Sequence, residues 1–231
     1  MTDSFTDHLI ELRRRTVSAL IVFLIASVAS YPLAQPMLLK IKSDMLPDAS
    51  LVIIDPAEAV TAYVNVSLLM GFILALPATV YHMWAFLDPA LRRQERKMML
   101  FLIVPSVSLF LAGVAFGYFI LVPTALRFLL DSSEPLATPM LSLASTISFV
   151  TTILLALGFL FQWPLITAVL GRLGFLKAGT LSQYRRHSIV FIILAAGIIT
   201  PDPTIIPQLI LSAPMMLLYE TGIITSKIAG G

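Results

Sequence analysis

Apolar residues in this chain gather into six long blocks, roughly 16–34, 60–86, 98–129, 146–170, 188–200 and 205–225, each bounded by charged clusters or proline-containing turns. A helix needs about 20 apolar residues to cross about 30 Å of hydrocarbon. The pattern therefore predicts an all-α polytopic membrane protein, one transmembrane domain over residues 1–231 with six transmembrane helices. The third block is overlong and carries Pro105 and Pro123, so it is expected to kink or to extend into water at Arg127 and Asp131. The last two spans are short. Residues 188–200 reach only about 20 Å at 1.5 Å per residue, and the sixth block contains Pro207 and Pro214. Thr200-Pro201-Asp202-Pro203 makes a tight turn between them, and two short neighbours suggest a locally thinned bilayer.

Composition agrees. Of 231 residues, 58% are hydrophobic and 12% charged, against roughly 25% charged in an average soluble domain. A chain this short cannot hide so much apolar surface from water, so lipid must cover it.

Orientation follows from the basic residues, which are retained in cytoplasmic loops. One side holds Arg13, Arg14, Arg15, Arg92, Arg93, Arg96, Lys97, Arg172, Lys177, Arg185, Arg186 and Lys227, against Lys40, Lys42 and Arg127 on the other, 12 to 3. Both termini are thus expected in the cytoplasm of an inner-membrane protein, with the segments 35–59 and 131–145 facing outward. Arg13 to Arg15 ahead of an apolar run also fit a cleavable leader. Asp3, Asp7 and Glu11 are unusual in such a leader, and an uncleaved first span completes an even number of crossings.

A net charge of +2 offers no basic nucleic-acid surface. The chain has no cysteine, and His8, His82 and His187 lie far apart without metal-ligand spacing. Neither a cofactor nor a metal is expected. HExxH and GxSxG are both absent, which argues against a membrane-embedded enzyme. Scarce mid-membrane acids and bases argue against a proton-coupled transporter, although a small-molecule or ion transporter is the main rival function.

The polar residues that remain are the candidates. Residues 4–15 form an interfacial helix, with Ser4 as cap and Asp7 three residues later. Phe5, Leu9 and Leu12 fall on one face, and Asp3, Asp7 and Glu11 on another. That acidic face is either a surface anchor or a site for a basic ligand. Phe86-Leu87-Asp88-Pro89-Ala90-Leu91 leads into Arg92, Arg93 and Glu95, where Glu95 either pairs with Arg92 or is presented beside Leu91. Inside the spans His82, Gln162 and Glu220 stand out, since polar groups are costly in lipid. Gln162 is either internal glue or a partner site, and the Gly113–Gly117 pair suits close internal packing better than dimerisation.

At His8-Leu9-Ile10-Glu11-Leu12-Arg13, and again from Phe86 to Glu95, the chain resembles the TatC family of the twin-arginine protein translocase. Pro36, Ala115-Phe116-Gly117-Tyr118-Phe119 with Pro123, Thr200-Pro201-Asp202, Ala213-Pro214-Met215 and Leu218-Tyr219-Glu220 extend the resemblance over nearly the whole chain. It implies a six-helix protein that binds twin-arginine signal peptides and, in an oligomeric complex with TatA- and TatB-type single-span subunits, moves folded proteins outward using the proton-motive force. Glu11 and Glu95 would hold the signal peptide, on a surface shaped by Arg13, Phe86, Pro89 and Leu91. Gln162 and Glu220 would be polar intramembrane or partner positions, and Pro36 and Asp202 would lie at the outer face. Many family members carry glutamate where this chain has Gln162, which puts an obligatory charge there in doubt.

Overall fold

The computed structural model describes the backbone of residues 2–47, 50–87, 96–133, 140–172, 174, 178–199 and 205–230. Helices dominate: α1 (Thr2–Met45), α2 (Glu58–Leu87), α3 (Arg96–Phe116), α4 (Val122–Ser133), α5 (Leu143–Leu160), α6 (Trp163–Arg172), α7 (Ala178–Gln183), α8 (Arg185–Ile199) and α9 (Ile205–Gly230). Two two-residue strands, β1 (Leu51–Val52) and β2 (Leu141–Ser142), pair with each other. Four described stretches are long and apolar enough to cross a membrane: Ile10–Met45, Glu58–Met83, Leu102–Asp131 and Leu143–Gly171. α8, with 15 residues, spans about 22 Å and keeps the shortness expected of the fifth crossing.

α1 unites the expected interfacial segment and first span in one helix of 44 residues, and continues past Pro32 and Pro36 into a stretch expected to be loop. Its buried side explains why. Ser27, Ser30, Ala34, Leu38, Ile41 and Met45 are buried at spacings of three and four, one continuous stripe. Pro36 sits on the exposed side, where its missing N–H costs one ladder bond while the stripe keeps its packing.

Contacts divide the chain into two compact units. The first comprises Met1–Asp44, Leu51–Ser108 and Ser142–Thr151; the second comprises Met45–Ser50, Leu109–Leu141 and Thr152–Gly231. In the first unit Phe23 meets Phe72 edge-on at 6.0 Å between ring centroids, and Tyr31 meets Tyr63 at 6.2 Å. As one sequence number rises the other falls, so α1 and α2 are antiparallel. A β-carbon on Gly71 would collide with the Ser27 backbone, so the lack of one lets the two helices touch. The Ser27, Ser30 and Ser67 hydroxyls donate to carbonyls four residues back at 2.8, 2.7 and 2.6 Å, which satisfies them where water is absent. At the opposite end of α2, the Glu58 carboxylate accepts from Ser142 Oγ at 3.0 Å and from the Ala144 amide at 3.4 Å. The starts of α2 and α5 therefore lie together.

In the second unit the end of α3 packs antiparallel to α5. A β-carbon on Gly113 would stand 2.5 Å from the Leu157 carbonyl oxygen, and one on Gly117 would press on Leu154 and Leu157. The glycine pair thus serves packing inside the chain. Between α3 and α4 the helix widens into a π-turn, Gly117–Leu121, where the Val122 N–H donates to the Gly117 carbonyl five residues back. Pro123 has no N–H for Phe119, and the wider turn absorbs that loss. Pro164 has a similar effect on the fourth crossing. The span 146–170, expected as one helix, is two helices separated by a turn at Phe161 and Gln162.

Candidate functional site

The first candidate surface centres on Glu11 in α1. Its carboxylate accepts from Arg15 Nη2 at 2.7 Å and Arg15 Nε at 3.0 Å, and both bonds fall on Oε1. Arg15 lies one helical turn on, so the pair is a property of sequence spacing. Among the described residues only Oε1 accepts a hydrogen bond. Glu11 keeps 36% of its side chain exposed, and Arg13 is exposed beside it. Phe86 belongs to the last turn of α2, with its side chain outside the described residues. Pro89, Leu91, Glu95 and Asp202 also lie outside them. Pro36 is placed within α1.

The intramembrane candidates fall in the second unit. Gln162 occupies the turn between α5 and α6. Its amide N–H donates to the Phe159 carbonyl at 3.0 Å, while its own carbonyl accepts from Leu165 and Ile166, each at 3.0 Å. Gln162 is half-buried and marks the point where the helical ladder is interrupted. Glu220 is paired. Arg185 Nε reaches its Oε1 at 2.9 Å and Arg185 Nη2 its Oε2 at 2.9 Å, a two-pronged fork that lets α9 carry an acid beside an apolar surface. Gln162 and Glu220 are therefore held by different elements.

Several residues to which the sequence had given no role tie this unit together. Tyr219 donates its hydroxyl to the Leu181 carbonyl at 2.7 Å and stacks on Trp163 with ring centroids 6.5 Å apart. Thr225 donates to the Pro164 carbonyl at 2.9 Å, and Thr167 to the same oxygen at 3.0 Å. Proline at 164 breaks the ladder, yet its carbonyl is fully used. Contacts between α6 and α9 advance together along both sequences, from Trp163–Tyr219 to Gly171–Ser226, so these helices are parallel. α8 runs antiparallel to α9, from Arg185–Glu220 to Ile193–Gln208.

These features define a multi-span α-helical membrane protein in which hydroxyls and glycines hold helices together. Comparison with known proteins narrows the class. Residues 7–214 match the family model for Sec-independent protein translocase protein (TatC). A TatC of Aquifex aeolicus (strain VF5) is 36% identical over 229 residues, covering 97% of this chain and 95% of the relative. A TatC of Desulforapulum autotrophicum is 32% identical over 230 residues, covering 98% and 85%. A crystal structure of the twin-arginine translocase receptor TatC superposes with a TM-score of 0.83 at 35% identity, covering 97% of this chain and all of that one. The chain belongs to the TatC family, and with it to the protein-transport machinery of the twin-arginine pathway.

Proposed function

We propose that this protein recognises twin-arginine signal peptides at the cytoplasmic face of the inner membrane and organises TatA- and TatB-type subunits to export folded proteins with the proton-motive force. The observation that carries the binding step is the partly exposed carboxylate of Glu11 in a segment that matches the family motif. Glu95, in the second matching segment, is the other carboxylate, and Arg13, Phe86, Pro89 and Leu91 shape the surface around them.

Magnitudes favour the exchange. An i,i+4 pair on one helix is worth about 0.3–0.5 kcal/mol, so another donor can compete with Arg15 for this carboxylate. A charge-assisted bond at a partly shielded carboxylate is worth about 1.5–3 kcal/mol, and an arginine can engage both oxygens at once. Gln162 is proposed as a partner contact, Glu220 as a polar intramembrane position, and Pro36 and Asp202 as outer-face positions.

The 12-to-3 asymmetry of basic residues supports a cytoplasmic location for both termini. The joint capping of Ser142 and Ala144 by Glu58 supports a common outer side for the segments preceding α2 and α5. The chain itself is assigned no catalytic step.

The test is complementation of a strain lacking its own TatC. Export of a folded reporter carrying a twin-arginine signal should return, and a small single-span subunit should co-purify with chain and precursor. Restored uptake or efflux of a solute without restored export would favour a small-molecule transporter instead.

A further inference from the structure

α7 and α8 meet at a single residue. α7 ends at Gln183 and α8 begins at Arg185, and the Ser188 amide donates to the Tyr184 carbonyl at 2.9 Å, so Tyr184 is the joint between them. Two consecutive residues of α9 hold the chain on either side of this joint. Tyr219 donates its hydroxyl to the Leu181 carbonyl of α7 at 2.7 Å, and Glu220 grips Arg185, the first residue of α8, through two contacts of 2.9 Å. The two holds differ in their surroundings. Tyr219 is 7% exposed and packs with Ile192 and Ile223, with Leu181 against them, so its hydrogen bond is shielded from water. The Arg185 and Glu220 side chains are 48% and 44% exposed, where water and salt weaken an ion pair.

Beyond the joint, α8 is lightly packed at first. From Arg185 to Phe191 no side chain is buried, and Ile192 is the first that is. One residue further on, the Ile193 carbonyl accepts from Gln208 Nε2 of α9 at 2.7 Å. The first two turns of α8 can therefore move while the rest of the helix stays fixed, since few apolar contacts oppose their opening. Those turns wall a groove of about 660 Å³, with Tyr184, His187, Ser188 and Phe191 along one side and Leu160 and Trp163 of α5 and α6 along another. Tyr184 and His187 meet edge-on with ring centroids 5.7 Å apart, so they move together.

We propose that the Arg185–Glu220 fork is a releasable catch on this groove. While it is closed, it holds the first turns of α8 against α9; when it opens, those turns swing away about the Tyr219–Leu181 hydrogen bond and widen the groove. Leu160 and Trp163 flank the turn that carries Gln162, so the catch regulates access to the partner position proposed above. That role rests on the partner reading of Gln162. The catch itself is tested on the chain alone, so a failed catch and a failed partner reading are told apart.

The chain has no cysteine, so Ser188→Cys puts a single thiol in the groove wall. The rate at which N-phenylmaleimide labels the full-length Ser188→Cys protein in detergent reports how open the groove is. Adding Glu220→Gln should speed labelling about two- to fivefold, the factor that an exposed ion pair can contribute. Arg185→Glu with Glu220→Arg, which rebuilds the pair in reverse, should bring the rate back. Raising the salt from about 0.01 M to about 1 M shortens the screening length from about 30 Å to about 3 Å. It should speed labelling when the fork is intact and leave the Glu220→Gln rate unchanged. Ser182→Cys, on an exposed position of α7 outside the groove wall, should react at one rate throughout. Circular dichroism and thermal melting report folding, and if the fork variants do not fold, the salt series decides alone. A Ser188→Cys rate that neither salt nor a folded Glu220→Gln variant changes overturns the proposal. So does a reversed pair that folds without restoring the rate, or an equal acceleration at Ser182→Cys, which would mark general loosening.

Discussion

Gln162 illustrates how one residue combines backbone and side-chain demands. Pro164 cannot donate an N–H, so the ladder opens between Leu160 and Trp163, and the Gln162 carbonyl accepts the amides of both Leu165 and Ile166. Substituting leucine leaves those backbone bonds in place and removes only the amide. A side-chain hydrogen bond between membrane helices is worth about 0.6–2 kcal/mol. Gln162→Leu should therefore weaken recovery of the single-span partners by about threefold to thirtyfold, while precursor binding stays nearly intact. Co-purification with a fixed amount of precursor checks this, and equal recovery of partners from both proteins would remove Gln162 from the partner surface. Glu220 was legible as an unusual polar residue, but its fork with Arg185 was not. Thirty-five positions separate the two, and only the antiparallel return of α9 along α8 brings them together.

Among the elements, apolar blocks and prolines carried most of the legible information. The overlong third block and Pro123 announced an irregularity, and a π-turn lies just before that proline. By contrast, the division of the fourth crossing at Phe161 was hidden because Pro164 can open a helix as well as interrupt one. The continuation of α1 beyond residue 34 was hidden as well. Its buried stripe includes serine and alanine, which a search for uniformly apolar runs does not separate from loop. Close helix contacts give the sharpest test at this scale. With the Leu157 carbonyl oxygen 2.5 Å from where a β-carbon would stand on Gly113, Gly113→Leu must push α3 away from α5. Overpacking of this kind costs about 1–3 kcal/mol. Thermal unfolding in detergent should show a clearly lowered midpoint, whereas Gly179→Leu should not, since nothing lies within 4 Å of that position. Equal midpoints for the two variants would refute the packing role of Gly113.

For the whole molecule, the fold class could be read from the apolar blocks, and family membership from motifs whose order spans the chain. The proposed site was less legible, because Glu95 lies outside the described residues and 84 positions separate it from Glu11, a separation that neither periodicity nor propensity converts into a distance. Orientation is testable because the chain has no cysteine. Ser133→Cys in spheroplasts should react with an impermeant maleimide added from outside. Reaction only in inverted vesicles would reverse the topology and move both carboxylates to the wrong side for a cytoplasmic ligand.

The central claim is that Glu11 and Glu95 together hold the paired arginines of a signal peptide. Its most direct measurement is photo-crosslinking of a twin-arginine precursor to the solubilised protein, with partner binding as the folding control. Loss of a charge-assisted bond of about 1.5–3 kcal/mol predicts a roughly tenfold to hundredfold weaker complex for Glu11→Ala or Glu95→Ala alone. Asp7→Ala, on the same helix but outside the matching motif, should change crosslinking little. Lysine at both precursor arginines should mimic the glutamate variants, because an ammonium cannot form the two-pronged contact. Undiminished crosslinking by a folded Glu11→Ala, Glu95→Ala double variant would contradict the account and leave Glu11 as the helix-stabilising partner of Arg15.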